Sequence, residues 1–339
     1  MLKDVIMALI ALILSLLLVP GVAKLAVKIG AVDKPNARKV HTKIMPRMGG
    51  LAIYVSFFVV LFLSHSMSKE LLGLFLGGTV LVLVGIVDDM KDIPAKVKLV
   101  GQIVAACIVV AFGVRVDFMT NIFHGDTFFL SFASIPVTVI WIVAIINAVN
   151  LIDGLDGLAA GIAIIAAATM AISGYAGGQL EMASMAMILM GATLGFLRYN
   201  FNPAKIFMGD TGSMFLGYNL AVFAVMGVAK SFTLLSLVTP ILVLAIPILD
   251  TLFAIIRRKI NHKPIFKPDK HHLHHCLLNY GFSHRDTVLI IYAVSAVLAL
   301  CGLIMTYLNS TQGICLLAVI SVVIIYAAVK IGVIGKKDE

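Results

Sequence analysis

Apolar runs long enough to cross a bilayer divide the chain at roughly 5–23, 49–66, 70–87, 99–116, 132–150, 157–175, 182–198, 213–230, 233–256, 287–308 and 313–331. A hydrocarbon core of about 30 Å takes about 20 residues at a helical rise of about 1.5 Å. Each run therefore predicts one membrane helix. The fold class expected is all-α: a polytopic transmembrane helical bundle of about 11 helices, with the 339 residues forming a single multi-pass domain. A hydrophobic content of 61% and a mean hydropathy of +1.07 exclude a soluble domain. Met1 to Val19 lacks the basic start and small-residue cleavage pattern of a signal peptide, so it is expected to be the first helix. Cys107, Cys276, Cys301 and Cys315 are scattered, three of them in apolar runs, and imply no disulfide framework.

The net charge of +9 is first a statement about orientation. Segments 24–48, 88–98, 198–210, 257–286 and the tail from Lys330 hold 22 of the 26 basic residues. They lie on one side, which the positive-inside rule makes cytoplasmic, with the amino terminus outside and the carboxyl terminus inside. Asp88, Asp89, Asp92, Asp153, Asp156, Asp210 and Asp269 fall on that same side. Orientation does not ask for acids there, because acids contribute little to topology. Carboxylates among lysines read better as a metal and phosphate site at the cytoplasmic face.

The stretch Asn147 to Gly161, NAVNLIDGLDGLAAG, interrupts two apolar runs with two asparagines and two aspartates. Charged groups at a bilayer edge are expensive and commonly functional. Asn147, Asn150, Asp153 and Asp156 are three residues apart, so each step turns the side chain about 60° on a regular helix and the four cannot share one face. Gly154 and Gly157 predict that one helix ends here and the next begins, with polar groups and bare backbone turned to a nucleotide and phosphate.

Four further segments carry chemistry. The loop KLAVKIGAVDKPNARKVHTKIMPRMGG holds Lys34, Arg38, Lys39, His41, Lys43 and Arg47, which suits an acidic lipid headgroup as well as positive-inside topology. In GIVDDMKDIPAKVKL the adjacent Asp88 and Asp89 repel one another unless a cation or proton lies between them, and Lys91, Lys96 and Lys98 follow. RYNFNPAKIFMGDTGS crowds Asn200, Asn202, Lys205 and Asp210 together, with Phe207 placed to stack on a base; Asp210 is the leading metal ligand, a helix cap being the plainer alternative. Asp250 lies nearly two helical turns before Arg257, on the same face, and reads as a buried orienting partner. Last comes KPDKHHLHHC, whose His271, His272, His274 and His275 suit pyrophosphate better than zinc, since zinc sites of fixed spacing draw ligands from two separated pairs.

Taken together and in this order, these motifs closely resemble the polyprenyl-phosphate N-acetylhexosamine-1-phosphate transferases, from about residue 20 to residue 290, and within them the branch that starts teichoic acid and related surface glycans. The resemblance implies transfer of N-acetylglucosamine-1-phosphate from UDP-N-acetylglucosamine, or alternatively the same chemistry with another UDP-N-acetylhexosamine, to a polyprenyl (undecaprenyl) phosphate in the cell membrane, with release of UMP and with Mg2+, or alternatively Mn2+, as cofactor. It implies no nucleic-acid partner and leaves homodimer formation open. By the same resemblance Asp210 binds magnesium, and Asp88 deprotonates the lipid phosphate with Asp89 beside it. Asn150, Asp153 and Asp156 line the nucleotide and pyrophosphate site. Phe207 packs on uracil, Asn200 lies near the metal, and His272, His274 and His275 contact the donor. Lys43, Arg47 and Lys96 are the expected lipid-phosphate contacts. The peptidoglycan branch carries a lysine where Asp92 stands and a threonine where Arg47 stands, so those two roles do not transfer. A transporter is the rival class, but its acids would lie midway across the bilayer, and the chain shows no internal repeat.

Overall fold

The computed structural model describes residues 1–33, 44–120, 127–229, 234–260 and 272–330. Its helices are α1 (Leu2–Ile29), α2 (Gly50–Ser64), α3 (Lys69–Lys91), α4 (Ala95–Ala111), α5 (Ser134–Ile152), α6 (Leu158–Ala176), α7 (Leu180–Asn200), α8 (Gly209–Ala229), α9 (Leu234–Val243), α10 (Ala245–Ile260), α11 (Leu273–Asn279), α12 (His284–Met305) and α13 (Ser310–Lys330). Two short antiparallel pairs accompany them: β1 (Val32–Asp33) with β2 (Met45–Pro46), and β3 (Phe118–Thr120) with β4 (Thr127–Phe129). Among the described residues, seven helical segments are long and apolar enough to cross a membrane: Leu2–Ile29, Lys69–Lys91, Ser131–Ile152, Leu158–Ala176, Leu180–Asn200, His284–Met305 and Thr311–Lys330. The chain is an all-α polytopic membrane protein.

Every apolar run marked in the sequence falls on helix, but the boundaries differ in instructive ways. The run 233–256 is divided between α9 and α10, because Pro247 has no N–H to give to Val243 and its ring crowds the preceding turn. Helix α1 continues past the apolar run to Ile29, since helical hydrogen bonds do not stop where apolar residues do. It ends at Gly30, whose φ of 81° closes it in a left-handed cap. The interruption expected at Gly154 and Gly157 lies at 153–157, between α5 and α6, with Gly157 at a φ of 80°.

Met1–Phe232 forms one compact unit and Thr233–Glu339 a second. In the first, α8 is the central helix, packed by α2, α3, α5, α6 and α7, and every residue from Thr211 to Val225 is buried. A helix apolar on all sides belongs in the interior. Phe215 of α8 meets Tyr54, Phe57 and Phe58 of α2 edge-on, with ring centroids 5.5–5.9 Å apart. Near the start of α8 the backbones approach so closely that a Cβ on Gly50 would collide with the Gly212 backbone. In the second unit α12 packs on α9 and α10, and Thr239 Oγ1 donates to the Gly302 carbonyl at 3.0 Å.

The Gly50–Gly212 contact yields a stability prediction. Gly50→Ala is expected to force α2 and α8 apart, at a penalty of about 1–3 kcal/mol, and to lower the thermal midpoint of the detergent-solubilised protein. Gly21→Ala, with nothing within 4 Å of its added Cβ, is the control.

Candidate active site

The first amides of a helix have no acceptor within it, and a buried N-terminus must find one elsewhere. For α8 that acceptor is Asp89, in the last turn of α3. Its Oδ1 accepts the Asp210 N–H at 3.0 Å, and its Oδ2 accepts the Thr211 N–H at 3.2 Å and the Thr211 hydroxyl at 2.7 Å. Gly209 precedes them at a φ of 70°, and a Cβ there would run into the Asp89 carboxylate. The turn therefore accepts only glycine, and Asp210 follows it in a fixed direction.

That direction brings Asp210 beside Asp88. Oxygens of Asp88, Asp89 and Asp210 all lie within 4.8 Å of one another. Lys98 stands between two of them, its Nζ 3.0 Å from Asp88 Oδ2 and 2.8 Å from Asp210 Oδ2, while Asp88 Oδ1 accepts the Ile93 N–H at 2.9 Å. Arg47 closes the other side, with Nε 3.5 Å from Asp89 Oδ1 and Nη1 3.4 Å from Asp92 Oδ1. Three carboxylates thus face two side-chain cations across the centre, with Asp92 at its rim. The surplus is negative and the donors are all oxygen, a set that suits a hard divalent cation. Lys98 already places a positive charge between two of the ligands that such an ion would use.

Lys96 is exposed, and Lys98 is the lysine that reaches the carboxylates. Residues two apart on a helix point to nearly opposite sides, about 200° round, so only one of the pair can face the centre. Lys43 lies outside the described residues.

Other residues marked in the sequence build the loops around this centre. Asn200 Oδ1 accepts the Gly157 N–H at 3.0 Å, and its Nδ2 donates to the Ile206 carbonyl at 3.0 Å. Asp156 Oδ2 accepts from Asn202 Nδ2 and from the Ala204 N–H, both at 3.0 Å. These bonds tie the α5–α6 turn to the α7–α8 loop. Asn150 Nδ2 donates to Ser213 Oγ at 2.8 Å, and that hydroxyl donates to the Gly209 carbonyl at 3.2 Å. Phe207 is linked through its backbone to the turn carrying Arg47, its N–H donating to Pro46 and its carbonyl accepting from Gly49. Asp153 is tied down less. Desolvation, with the charges of Asp210 and Asp89 behind it, pushes its carboxyl up to about 7, while Arg47 pulls the other way.

His272, His274 and His275 belong to the second unit, where His272 pairs with Asp250; His271 lies outside the described residues. Asp250 Oδ2 lies 2.8 Å from His272 Nδ1, and Oδ1 accepts the Leu273 N–H at 2.8 Å. The orienting role expected of Asp250 thus has a definite object. His272 and His274 lie with rings nearly parallel, 5.9 Å between centroids, and His274 and His275 are 4.2 Å apart. Burial first, and His275 next, bring the His274 ring down to about 3, so it is uncharged at neutral pH.

Comparison with known proteins bears on what this geometry serves. Glycosyl transferase family 4 matches residues 71–228. The "Probable undecaprenyl-phosphate N-acetylglucosaminyl 1-phosphate transferase" of Bacillus subtilis is 43% identical over 306 residues, covering 90% of this chain and 86% of that protein. The decaprenyl-phosphate N-acetylglucosaminephosphotransferase of Mycobacterium tuberculosis is 36% identical, covering 80% and 74%. An undecaprenyl-phosphate alpha-N-acetylglucosaminyl 1-phosphate transferase of Haemophilus influenzae is 34% identical, covering 81% and 79%. The chain belongs to the polyprenyl-phosphate N-acetylhexosamine-1-phosphate transferases. Like other transferases of this family it is a multi-pass protein of the cell membrane. The family match spans the whole carboxylate centre of this transferase, from Asp88 to Asp210.

The raised Asp153 carboxyl predicts how cation binding depends on pH. Below about 7 it is protonated and neutral, and above that it adds a negative charge near Asp210, so affinity for a divalent cation should rise as pH passes upward through that value. Mn2+ binding titrated between roughly pH 6 and pH 8 should tighten by up to about tenfold per pH unit. Asp153→Asn should flatten that dependence, and an unchanged slope would remove Asp153 as its source.

Proposed function

We propose that the chain transfers N-acetylglucosamine-1-phosphate from UDP-N-acetylglucosamine to a polyprenyl phosphate, undecaprenyl phosphate in particular, and releases UMP. We read all 339 residues as serving this one transferase. The observation that carries the reading is the Asp88–Lys98–Asp210 bridge at the buried start of α8, an oxygen-rich centre with surplus negative charge at the end of membrane helices. In the topology proposed here, about eleven helices cross the membrane, the amino terminus lies outside, and the centre opens at the cytoplasmic face, where nucleotide sugars are found. The product would begin teichoic acid or another cell-surface glycan.

Phosphoryl transfer rests mainly on positioning and charge stabilisation. Asp210 and Asp88 would hold Mg2+, or Mn2+ in its place, and that ion supplies neutralisation of the donor pyrophosphate. Asp89 holds Asp210 in place through the amides of α8. Lys98, already shared between two carboxylates, can turn its ammonium to a phosphate oxygen, and Arg47 and Lys43 suit the phosphate of the lipid. A lipid phosphate is largely ionised near neutral pH. Asp88 therefore orients the attacking phosphate rather than stripping it of a proton. The acceptor oxygen attacks the β-phosphorus, the bond to the UMP oxygen breaks, and the new pyrophosphate joins sugar to lipid. Asp153, Asn150, Asp156 and Asn200 shape the nucleotide side with Phe207 against the base, and His272, His274 and His275 serve the donor phosphates.

Purified protein given polyprenyl phosphate and UDP-N-acetylglucosamine should release UMP only with a divalent cation, and Asp210→Asn should lower the rate by about 10³-fold or more while leaving the protein folded. Wild-type turnover in that variant would take Asp210 out of the centre. Solute movement across vesicles without UMP release would favour a transporter.

A further inference from the structure

Helix α7 runs about 30 Å from Leu180 to Asn200, the thickness of a hydrocarbon core, so Arg198 in its last turn stands at a bilayer edge. Leu194, Leu197, Arg198 and Phe201 follow the three- and four-residue spacing of one helical face. With Pro203 and Lys205 from the loop beyond, they line an open cleft of about 480 Å³. Leu194, Leu197 and Phe201 give it large apolar surface, and Arg198 and Lys205 give it two cations. Both cations are exposed, and among the described residues neither side chain has a hydrogen-bond or ion-pair partner. A basic residue at the end of a helix suits the helix dipole, but the dipole does not call for a second cation from a loop, or for apolar surface beside both. The cleft is also held in shape. The Lys205 N–H donates to the Tyr199 carbonyl at 2.8 Å, the Tyr199 hydroxyl donates to the Leu16 carbonyl of α1 at 3.3 Å, and Asp156 accepts from Asn202 and from the Ala204 amide. The carboxylate centre engages Lys98 and Arg47, and neither of the cleft's cations.

We propose that this cleft binds a glycerophospholipid of the surrounding membrane with an anionic headgroup. Its phosphodiester pairs with Arg198 and Lys205, and an acyl chain lies on Leu194, Leu197 and Phe201. Arginine offers phosphate oxygens a fork of donors, and lysine adds a mobile point charge. A zwitterionic lipid brings a cation of its own to two cations and fits worse. A free phosphate satisfies the charges but leaves the apolar surface uncovered. The loop that meets the headgroup carries Asn202 and Ala204, the partners of Asp156, so the bound lipid steadies the link between the α7–α8 loop and the α5–α6 turn. Binding of this kind requires no turnover and holds whatever reaction the carboxylate centre serves.

The experiment titrates the delipidated full chain in detergent with phosphatidylglycerol or phosphatidylcholine and counts bound lipids by native mass spectrometry. Phosphatidylglycerol should bind about 10–30-fold more tightly than phosphatidylcholine. Arg198→Gln/Lys205→Gln should erase that preference with the thermal midpoint retained. Lys24→Gln/Lys28→Gln, which removes as much charge from exposed positions of α1, should keep it. Equal loss in the two double variants would reduce the preference to diffuse surface charge and overturn the proposal. Displacement of the lipid by inorganic phosphate in large excess, or by polyprenyl phosphate, would give the cleft to a free anion or to the acceptor and overturn it too. In nanodiscs of phosphatidylglycerol the Ala204 and Lys205 amides should exchange hydrogen more slowly than in phosphatidylcholine, and equal exchange would overturn the link to Asp156. Should the double variant fail to fold, Lys205→Gln alone carries the comparison, with an expected loss of about fivefold, and unchanged binding in it would overturn the proposal. No arm measures turnover, so the transferase reading stands or falls separately.

Discussion

A helix that starts inside a protein, at the end of a membrane bundle, exposes amide hydrogens with no water to take them. Helix α8 has that problem, and Asp89 answers it with both oxygens. The solution brings a charge into a buried place, and much of the centre follows from that charge. Asp88 precedes it by one residue and Asp210 is the residue being capped, so three carboxylates come together. Lys98 and Arg47 then compensate part of their repulsion. A centre able to take a cation and phosphates is what remains after the capping is satisfied.

The same logic separates residues that hold the centre from those free to meet a ligand. Asn200 and Asp156 give polar atoms to the backbone of the facing loops, which fixes two loops against each other. Asp88, Asp210 and Lys98 are bound chiefly by ion pairs that an incoming phosphate or cation can replace. A pre-formed shell around a few exchangeable charges is the arrangement that phosphoryl transfer favours, because little reorganisation is left for the reaction itself.

Much of this was legible in the chain. Long apolar runs marked the helices, and charges placed where a bilayer makes them expensive marked Asp88, Asp89, Asp153, Asp156 and Asp210. What could not be read was phase and partnership. The phase of α4 is set where Pro94 admits a helix, so Lys96 and Lys98 were equal in sequence and opposite in space. Asp250 shares a helical face with Arg257 by spacing, yet its hydrogen bonds go to His272 and Leu273, which only the chain's return past α10 brings near. Nor does composition distinguish Asp89, whose oxygens serve α8, from Asp88 next to it. The ninth apolar run carries Pro240 and Pro247, but proline is tolerated inside membrane helices, so the sequence alone does not place the break between α9 and α10.

Asp88 and Asp210, set together by the capping of α8, are proposed as the ligands of a divalent cation. The most direct measurement is an anomalous-scattering map of crystals of the protein grown with Mn2+ and a nucleotide sugar. A single strong peak is expected between the Asp88 and Asp210 carboxylates, absent in Asp210→Asn crystals grown the same way. A peak away from both carboxylates, or one that persists unchanged in the variant, would contradict it.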